Sequence, residues 1–164
     1  IPLLTEHVYL IGKISEWYKT DLLDGEANIY LENSYVGKSM INTRQFKDTL
    51  EISFGVDNNI SVKREKLSDF SESQLIGVNR KVTVAYKLTL RNNKAYQVSA
   101  KVFDQIPVTT TKEIQVETID ISGGKLNVNT GKVEWDLELK SNEVKELIVK
   151  FSVKYPKDKN VIIE

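Results

Sequence analysis

Cysteine and histidine, two residue types that often act as catalytic nucleophiles, bases or metal ligands, are nearly absent from this chain. There is no cysteine, which excludes thiolate nucleophiles, disulfides and zinc–thiolate sites. His7 is the one histidine, so a site that needs two imidazole groups is excluded as well. A Ser-His-Asp triad would have to use His7, which opens the first predicted strand instead of lying on a turn, where nucleophiles are usually presented. We expect His7 to have a plain edge or solvent-facing role.

Three carboxylates lie on or near predicted strands and have the chemistry of a general acid and base. Asp136 and Glu138 alternate with Trp135 and Leu137, which places both carboxylates on the solvent face of their strand. Asp104 differs because it ends a strand just before a proline. There it either caps a turn by accepting backbone amides or contributes to a binding surface. We predict that none of the three is catalytic.

Two short motifs resemble ligand-binding loops. Gly37-Lys38-Ser39 is similar to the end of a phosphate-binding loop, but that loop needs a glycine five residues earlier, where this chain has Glu32. We interpret Gly37 as a bulge or close backbone approach within a strand. Asp57-Asn58-Asn59 and the segment Asp21–Asp24 offer oxygen ligands for calcium, yet neither has the ligand spacing of a known loop. We interpret both as turns and predict no metal and no cofactor.

Aromatic side chains are the remaining candidates for ligand binding. Trp17 and Tyr18 lie on a predicted loop, where aromatic rings either anchor the loop to the protein body or hold a ligand such as carbohydrate. The alternation of apolar residues places Trp135, Phe151 and Tyr155 on core faces instead. We therefore predict Trp17 and Tyr18 as the ligand-binding residues of this chain.

The elements that carry these residues are strands. Apolar residues at every second position indicate half-buried strands with one face in a core. The pattern occurs in four runs of the second half: Val82, Val84, Tyr86, Leu88 and Leu90; Tyr96, Val98, Ala100 and Val102; Val133, Trp135, Leu137 and Leu139; and Leu147, Val149, Phe151, Val153 and Tyr155. Such spacing predicts an all-β protein, an antiparallel β-sandwich whose second half is immunoglobulin-like, with little or no helix.

The first half is predicted to consist of hairpins. Ala27 to Asn42 forms one hairpin, and Leu50 to Val62 forms a second around the turn at residues 57–59. A shift in composition near residues 78–81 suggests a hairpin half at residues 1–79 and a sandwich half at residues 80–164. Together they would form one module cut from a longer protein, because the start lacks an initiator methionine and a basic leader. Any targeting signal would then lie upstream.

The charge balance limits the classes of partner. The 23 basic and 23 acidic side chains give a net charge of zero and are scattered along the strands, so we predict no nucleic-acid binding. No stretch approaches the roughly 20 apolar residues that span a bilayer, so we also predict no membrane insertion by this chain.

Four stretches carry a resemblance to a known family: Leu22–Ile41, Ile52–Glu65, Val102–Val108 (VFDQIPV) and Lys132–Pro156. In this order they resemble the C-terminal domain of the mucoidy inhibitor A family, which is classed as a domain of unknown function. The resemblance implies an exported protein of the bacterial periplasm or envelope, with this domain following an N-terminal domain and a coiled coil. It implies no catalytic residues, and the proline that usually precedes Gly25 in the family is Asp24 here.

These observations lead to three functional hypotheses. The first is a noncatalytic module of a bacterial envelope protein that binds a protein partner or the upstream domains of its own chain. The second is a carbohydrate or cell-wall binding module that uses Trp17 and Tyr18. The third is a carboxylate-based hydrolase, which would need two facing carboxyl groups roughly 5 to 10 Å apart. We predict the first and do not expect an enzyme.

Overall fold

The computed structural model describes residues 5–31, 33–43, 49–70, 72–159, 161 and 163. Within these ranges the chain folds into twelve strands, and every strand pairing is antiparallel. Two short 3-10 turns, Trp17–Lys19 and Ser68–Phe70, are the only helical segments of the described chain. The prediction of an all-β antiparallel fold with little helix is confirmed.

The chain forms two compact units. The N-terminal unit is His7–Asn58, and the sandwich unit is the rest of the described chain, from Asn59 onward together with Thr5 and Glu6. The division falls after residue 58, whereas the composition shift at residues 78–81 lies at the start of a strand inside the sandwich unit. The N-terminal unit contains β1 (Tyr9–Ser15), β2 (Gly25–Leu31), β3 (Ser34–Ile41) and β4 (Thr49–Val56). The sandwich unit contains β5 (Ile60–Lys66), β6 (Glu72–Ile76), β7 (Asn79–Asn92), β8 (Val98–Gln105), β9 (Gln115–Asp120), β10 (Lys125–Leu126), β11 (Lys132–Leu139) and β12 (Val144–Pro156).

The larger sheet of the sandwich unit is built around two long strands. Its order is β5-β7-β12-β9, and β6 pairs with β7 on the same side as β5. The predicted alternation is confirmed, because Val84 lies opposite Phe151 and Tyr86 lies opposite Val149, all four buried. Burying each such side chain contributes about 1.5–3 kcal/mol, so these two strands supply much of the core.

The second sheet has the order β10-β11-β8. Val133 and Trp135 of β11 are buried opposite Asp104 and Val102 of β8. The Trp135 indole Nε1 donates a hydrogen bond to the backbone oxygen of Ile121 at 2.8 Å. A buried indole needs such a partner, and here the bond ties the sheet to the loop that follows β9.

Two connections differ from the sequence-based predictions. The proposed hairpin across residues 57–59 is wrong, because β4 pairs with β1 while β5 pairs with β7. The turn-forming residues at 92–94 also predict a tight hairpin between the strand that ends near Arg91 and the one that starts near Tyr96. This prediction is wrong as well, because β7 and β8 lie in different sheets. Turn-forming residues indicate that the chain reverses there, but they do not determine which strand becomes the partner.

The side chain of Asn92 holds the crossing from β7 to the second sheet. Asn92 is fully buried, and its Nδ2 donates to the backbone oxygens of Tyr96, Leu139 and Lys140 at 2.9, 3.2 and 2.9 Å. Its Oδ1 accepts a hydrogen bond from the Lys94 amide at 2.9 Å. Tyr96, predicted to begin β8, instead lies on this connection and is exposed.

The N-terminal unit has a small core. β1 pairs with β4, and β2 pairs with β3, giving two two-stranded sheets. Of its residues that the structure describes, Ile29, Leu50 and Ile52 are buried, and partly buried hydrophobic side chains pack against them: Trp17, Leu22, Ala27, Ile41 and Phe54. The predicted hairpin of β2 and β3 is confirmed.

Candidate functional site

Trp17 and Tyr18, the residues predicted to bind a ligand, lie on the 3-10 turn between β1 and β2. Trp17 is half-buried and packs against the cluster of Ile29, Leu50 and Ile52, so its ring anchors the turn. Tyr18 is exposed, and its ring meets that of Trp17 edge-on at 76° with 6.5 Å between centroids. The two rings therefore do not form a flat platform, and ligand binding by this pair stays a prediction.

A second aromatic pair lies on the outer side of the β2–β3 hairpin. Tyr30 lies directly opposite Tyr35, and their rings meet edge to face with 5.5 Å between centroids. The two side chains are 61% and 54% exposed. Met40 is also exposed. The strand register places it on the same side of the hairpin as Tyr30 and Tyr35, because it lies opposite Glu26, which shares a face of β2 with Tyr30. We call Tyr30, Tyr35 and Met40 the tyrosine face.

A β-bulge produces the tyrosine face. Ile29 pairs with Gly37 while Tyr30 pairs with Tyr35, so Val36 is an extra residue in β3. Gly37 has a φ of 143°, which favours glycine, and its interpretation as a bulge residue is confirmed. Without the extra residue, strict alternation would place Tyr35 and Lys38 on opposite sides of the strand. The alternation of apolar residues does not predict this pair, whereas Gly37 is the signal in the sequence for the bulge that creates it.

The motif Gly37-Lys38-Ser39 lies inside β3, where it forms a strand and no phosphate-binding turn. Lys38 Nζ donates to Glu26 Oε1 at 2.6 Å across the hairpin. The lysine is therefore engaged with a carboxylate of the neighbouring strand, and the arrangement supports hairpin pairing.

Asp104 is the one buried carboxylate of the described chain. It is the second-last residue of β8 and continues the inward alternation of that strand, so its side chain is buried in the core and belongs neither to a turn nor to an exposed binding surface. Its Oδ2 accepts a hydrogen bond from Arg64 Nε of β5 at 3.0 Å, and its Oδ1 accepts one from the Gln105 amide at 2.9 Å. The side chains of Asp104 and Arg64 are 0% and 9% exposed. The pair joins the two sheets of the sandwich unit.

The guanidinium of Arg64 also stacks on an aromatic ring. Its Cζ lies 3.5 Å from the centroid of Tyr86, within cation–π distance. The Arg64 amide donates to Glu6 Oε1 at 3.0 Å, while Nη2 is buried and makes no hydrogen bond with a described residue. The charges of Arg64 and Asp104 are both buried and are paired with each other. This cluster therefore holds the two sheets of the sandwich unit together and presents no open position for a substrate.

The solvent-face carboxylates Asp136 and Glu138 are exposed as predicted, and both are hydrogen-bonded by neighbouring side chains. Asp136 binds Lys125 at 3.1 Å and Lys101 at 3.3 Å, and these hydrogen bonds lower the pKa of its carboxyl. Hydrogen bonds from Ser99 and Gln97 lower the pKa of Glu138. A carboxyl with a lowered pKa is a poor general acid near neutral pH, so this face does not support hydrolase chemistry.

The remaining candidates lie on loops of the N-terminal unit. His7 is exposed and precedes β1. Asp24 accepts hydrogen bonds from the Thr43 amide and hydroxyl at 2.5 and 2.6 Å, which is turn chemistry. Among the described residues no three acidic, histidine or cysteine side chains group closely enough to hold a metal ion. The same residues include no helix with the length and apolarity to cross a bilayer.

Comparison with known proteins gives a family and one relative. The family described as Domain of unknown function (DUF4139) matches residues 9–157. The chain is also 20% identical to Protein F37C4.5 of Caenorhabditis elegans over 179 aligned positions, covering 100% of this chain and 32% of that protein. The chain thus spans about a third of the length of this relative.

Proposed function

The chain belongs to the DUF4139 family of domains of unknown function, and we infer from its surfaces that it is a noncatalytic β-sandwich module that binds protein. The binding partner is either another protein or an upstream domain of the same chain. The tyrosine face of the N-terminal unit is the contact surface in this proposal.

The exposed apolar side chains of the N-terminal unit carry the proposal. Among its described residues this unit has three buried hydrophobic residues but eleven large hydrophobic side chains that are exposed: Tyr9, Ile11, Ile14, Tyr18, Leu23, Tyr30, Leu31, Tyr35, Val36, Met40 and Val56. Apolar surface in such excess over the core is typical of interaction sites. Tyrosines are favoured there because a rigid ring buries roughly 150–250 Å² and its hydroxyl still finds a polar partner.

The chemistry at the other candidate sites supports a noncatalytic role. Asp104 is enclosed by its pairing with Arg64, and Asp136 is held by two lysines. Neither carboxylate is free to exchange a proton with a substrate at neutral pH. An ion-paired surface of this kind is typical of a solvated sheet face.

The test is site-specific photo-crosslinking in the full-length protein in its source cell. A photoreactive phenylalanine analogue replaces Tyr35, and a matched variant carries it in place of Tyr96, an exposed tyrosine of the sandwich unit. We expect the probe at position 35 to give one dominant protein adduct, identified by peptide mass spectrometry. The adduct lies either on a partner or on an upstream segment of the same chain.

Two outcomes would contradict the proposal. If position 35 gives no more adducts than position 96, the tyrosine face is not an interface. If the adduct is a glycan, the carbohydrate-binding alternative replaces the protein-binding one. The variant Tyr18→Ser separates the surfaces, since it removes an exposed ring from the predicted carbohydrate site while leaving Tyr30 and Tyr35 in place.

The identity and location of the whole protein extend this proposal. We infer that the chain is the C-terminal domain of a mucoidy inhibitor A-type protein, on the resemblance of the stretches at residues 22–41, 52–65, 102–108 and 132–156. Export to the periplasm or cell envelope follows from the same resemblance. Fractionation of source cells with an antibody to this domain tests it, and recovery in the cytosol alone would contradict it.

A further inference from the structure

The turn between β6 and β7 presents three apolar side chains to solvent. Leu75, Ile76 and Val78 are 68%, 46% and 72% exposed, and every residue of β6 is exposed. Gly77 has a φ of 62°, which allows the tight reversal between β6 and β7. We call these three residues the hairpin tip.

Two cations lie at the base of the hairpin tip. In the strand register Arg80 is opposite Leu75 on one neighbouring strand and opposite Tyr155 on the other. The amide of Lys157 donates to the Val78 oxygen at 3.0 Å, which places this lysine beside the turn. Both residues therefore lie next to the hairpin tip along the chain backbone.

Two further lysines extend the positive charge across the end of the sheet. Lys112 and Lys154 line a shallow depression with Asn79, whose partner in the β6–β7 pairing is Ile76 of the hairpin tip. Glu113 also lines it, but its carboxylate is paired with Lys159. The depression therefore adds positive charge next to the tip.

The four cations make no ion pair with a described residue: Arg80, Lys112, Lys154 and Lys157. Lys81 on the same sheet differs, because it pairs with Glu117 at 2.9 Å. Asp158, which follows Lys157 in the sequence, is a carboxylate that makes no ion pair in the described chain. This end of the sandwich unit thus has a local excess of positive charge, although the net charge of the chain is zero.

We propose that the hairpin tip and its four cations dock the sandwich unit on the surface of an anionic phospholipid bilayer. Apolar side chains on an exposed turn enter the headgroup boundary, while neighbouring lysine and arginine side chains are attracted to anionic headgroups. A groove would favour binding of an acidic peptide, but these apolar residues lie on a hairpin turn, which favours contact with a membrane surface. The contact is peripheral, and it uses none of the residues of the tyrosine face.

The test is cosedimentation of the 164-residue chain with vesicles of equal parts phosphatidylcholine and phosphatidylglycerol, and with vesicles of phosphatidylcholine alone. The test variant is Val78→Ser with Lys157→Gln. The matched control is Val144→Ser with Lys145→Gln, which changes an exposed valine and a lysine at the opposite end of β12. All four positions are exposed, so circular dichroism should show both variants folded.

We expect binding to the anionic vesicles only, falling with added salt. The test variant should bind at least about fivefold more weakly, since one cation near such a surface contributes about that factor. The control should bind like the parent. No binding to either vesicle, equal binding to both vesicles, or equal loss in the control would overturn the proposal. Binding to soluble polyglutamate that is lost in the test variant, with no vesicle binding, would assign an acidic protein partner instead.

Discussion

The two units of this chain differ in how their apolar side chains are used. Of the twenty buried hydrophobic residues in the described chain, seventeen lie in the sandwich unit and three in the N-terminal unit. The N-terminal unit nevertheless carries eleven of the twenty exposed large hydrophobic residues. Core burial sets stability, and exposed apolar area indicates a contact. Most of the described hydrophobic core therefore lies in the sandwich unit, while the larger share of the exposed apolar side chains lies in the N-terminal unit, where we propose the protein contact.

The largest expected effect comes from the centre of the sandwich unit. Phe151 is fully buried and stacks on Tyr86 with 6.4 Å between centroids. Phe151→Ala should lower the free energy of unfolding by about 3–5 kcal/mol, because it removes the ring and leaves a cavity. Hydrogen exchange should show lost protection in β7 and β12. Equal loss of protection in β1 and β4 would contradict the separation of the units.

The buried ion pair comes next. Asp104→Asn leaves the Arg64 guanidinium enclosed without its counter-charge, which should cost about 3 kcal/mol in urea denaturation. Replacing both residues, Arg64→Met with Asp104→Leu, should recover most of that loss because no charge remains buried. A loss below about 1 kcal/mol for the single variant would mean that water reaches Arg64.

A smaller effect is expected in the core of the N-terminal unit. Ile52→Ala should cost about 2 kcal/mol, at the low end for such a change, because the partly buried neighbours can move into the space. Fluorescence of Trp17, which packs on this cluster, measures the loss. The comparison would fail if Ile52→Ala destabilised the chain as much as Phe151→Ala.

The smallest effect is the pH dependence of the exposed ion pairs. Because hydrogen bonds from Lys125 and Lys101 lower the pKa of Asp136 in the folded chain, this carboxylate stabilises the fold above its ordinary pKa. The contribution is lost as the pH falls through the lowered value. Asp136→Asn should therefore lower Tm slightly at neutral pH and not at about pH 2. Asp158→Asn, at a carboxylate without an ion pair in the described chain, is the control.

The sequence predicts the strands well where alternation is long. Leu147, Val149, Phe151, Val153 and Tyr155 are all buried as expected, because fixed alternation in a long strand leaves one face for the core. Pairing is harder to predict, since β4 and β5 follow one another but belong to different units. Local turn chemistry contains no information about partners distant in sequence.

The sites were harder to predict than the strands. The proline at position 107 favours a strand end at Asp104, with a role in a turn or a binding surface, but Asp104 continues the inward positions of β8. Its partner Arg64 is contributed by another sheet, which alternation within one strand cannot indicate. Tyr35 lies opposite Tyr30 only because Val36 is an extra residue in β3 that shifts the strand register. A bulge of one residue cannot be recognised from a pattern of hydrophobic residues.

The pairing of β7 with β12 has a consequence for the order in which the chain is synthesised. Strands β1 to β4 have their partners before residue 59, so the N-terminal unit can form early on the ribosome. β7 must remain with one open edge and an apolar face until Val144–Pro156 has been made. A nascent chain stopped before Val144 therefore carries a long amphipathic strand that can pair with other chains. Premature termination between β7 and Val144 is therefore expected to yield aggregates. Termination directly after Asn58 instead leaves the N-terminal unit, whose strands are already paired with one another.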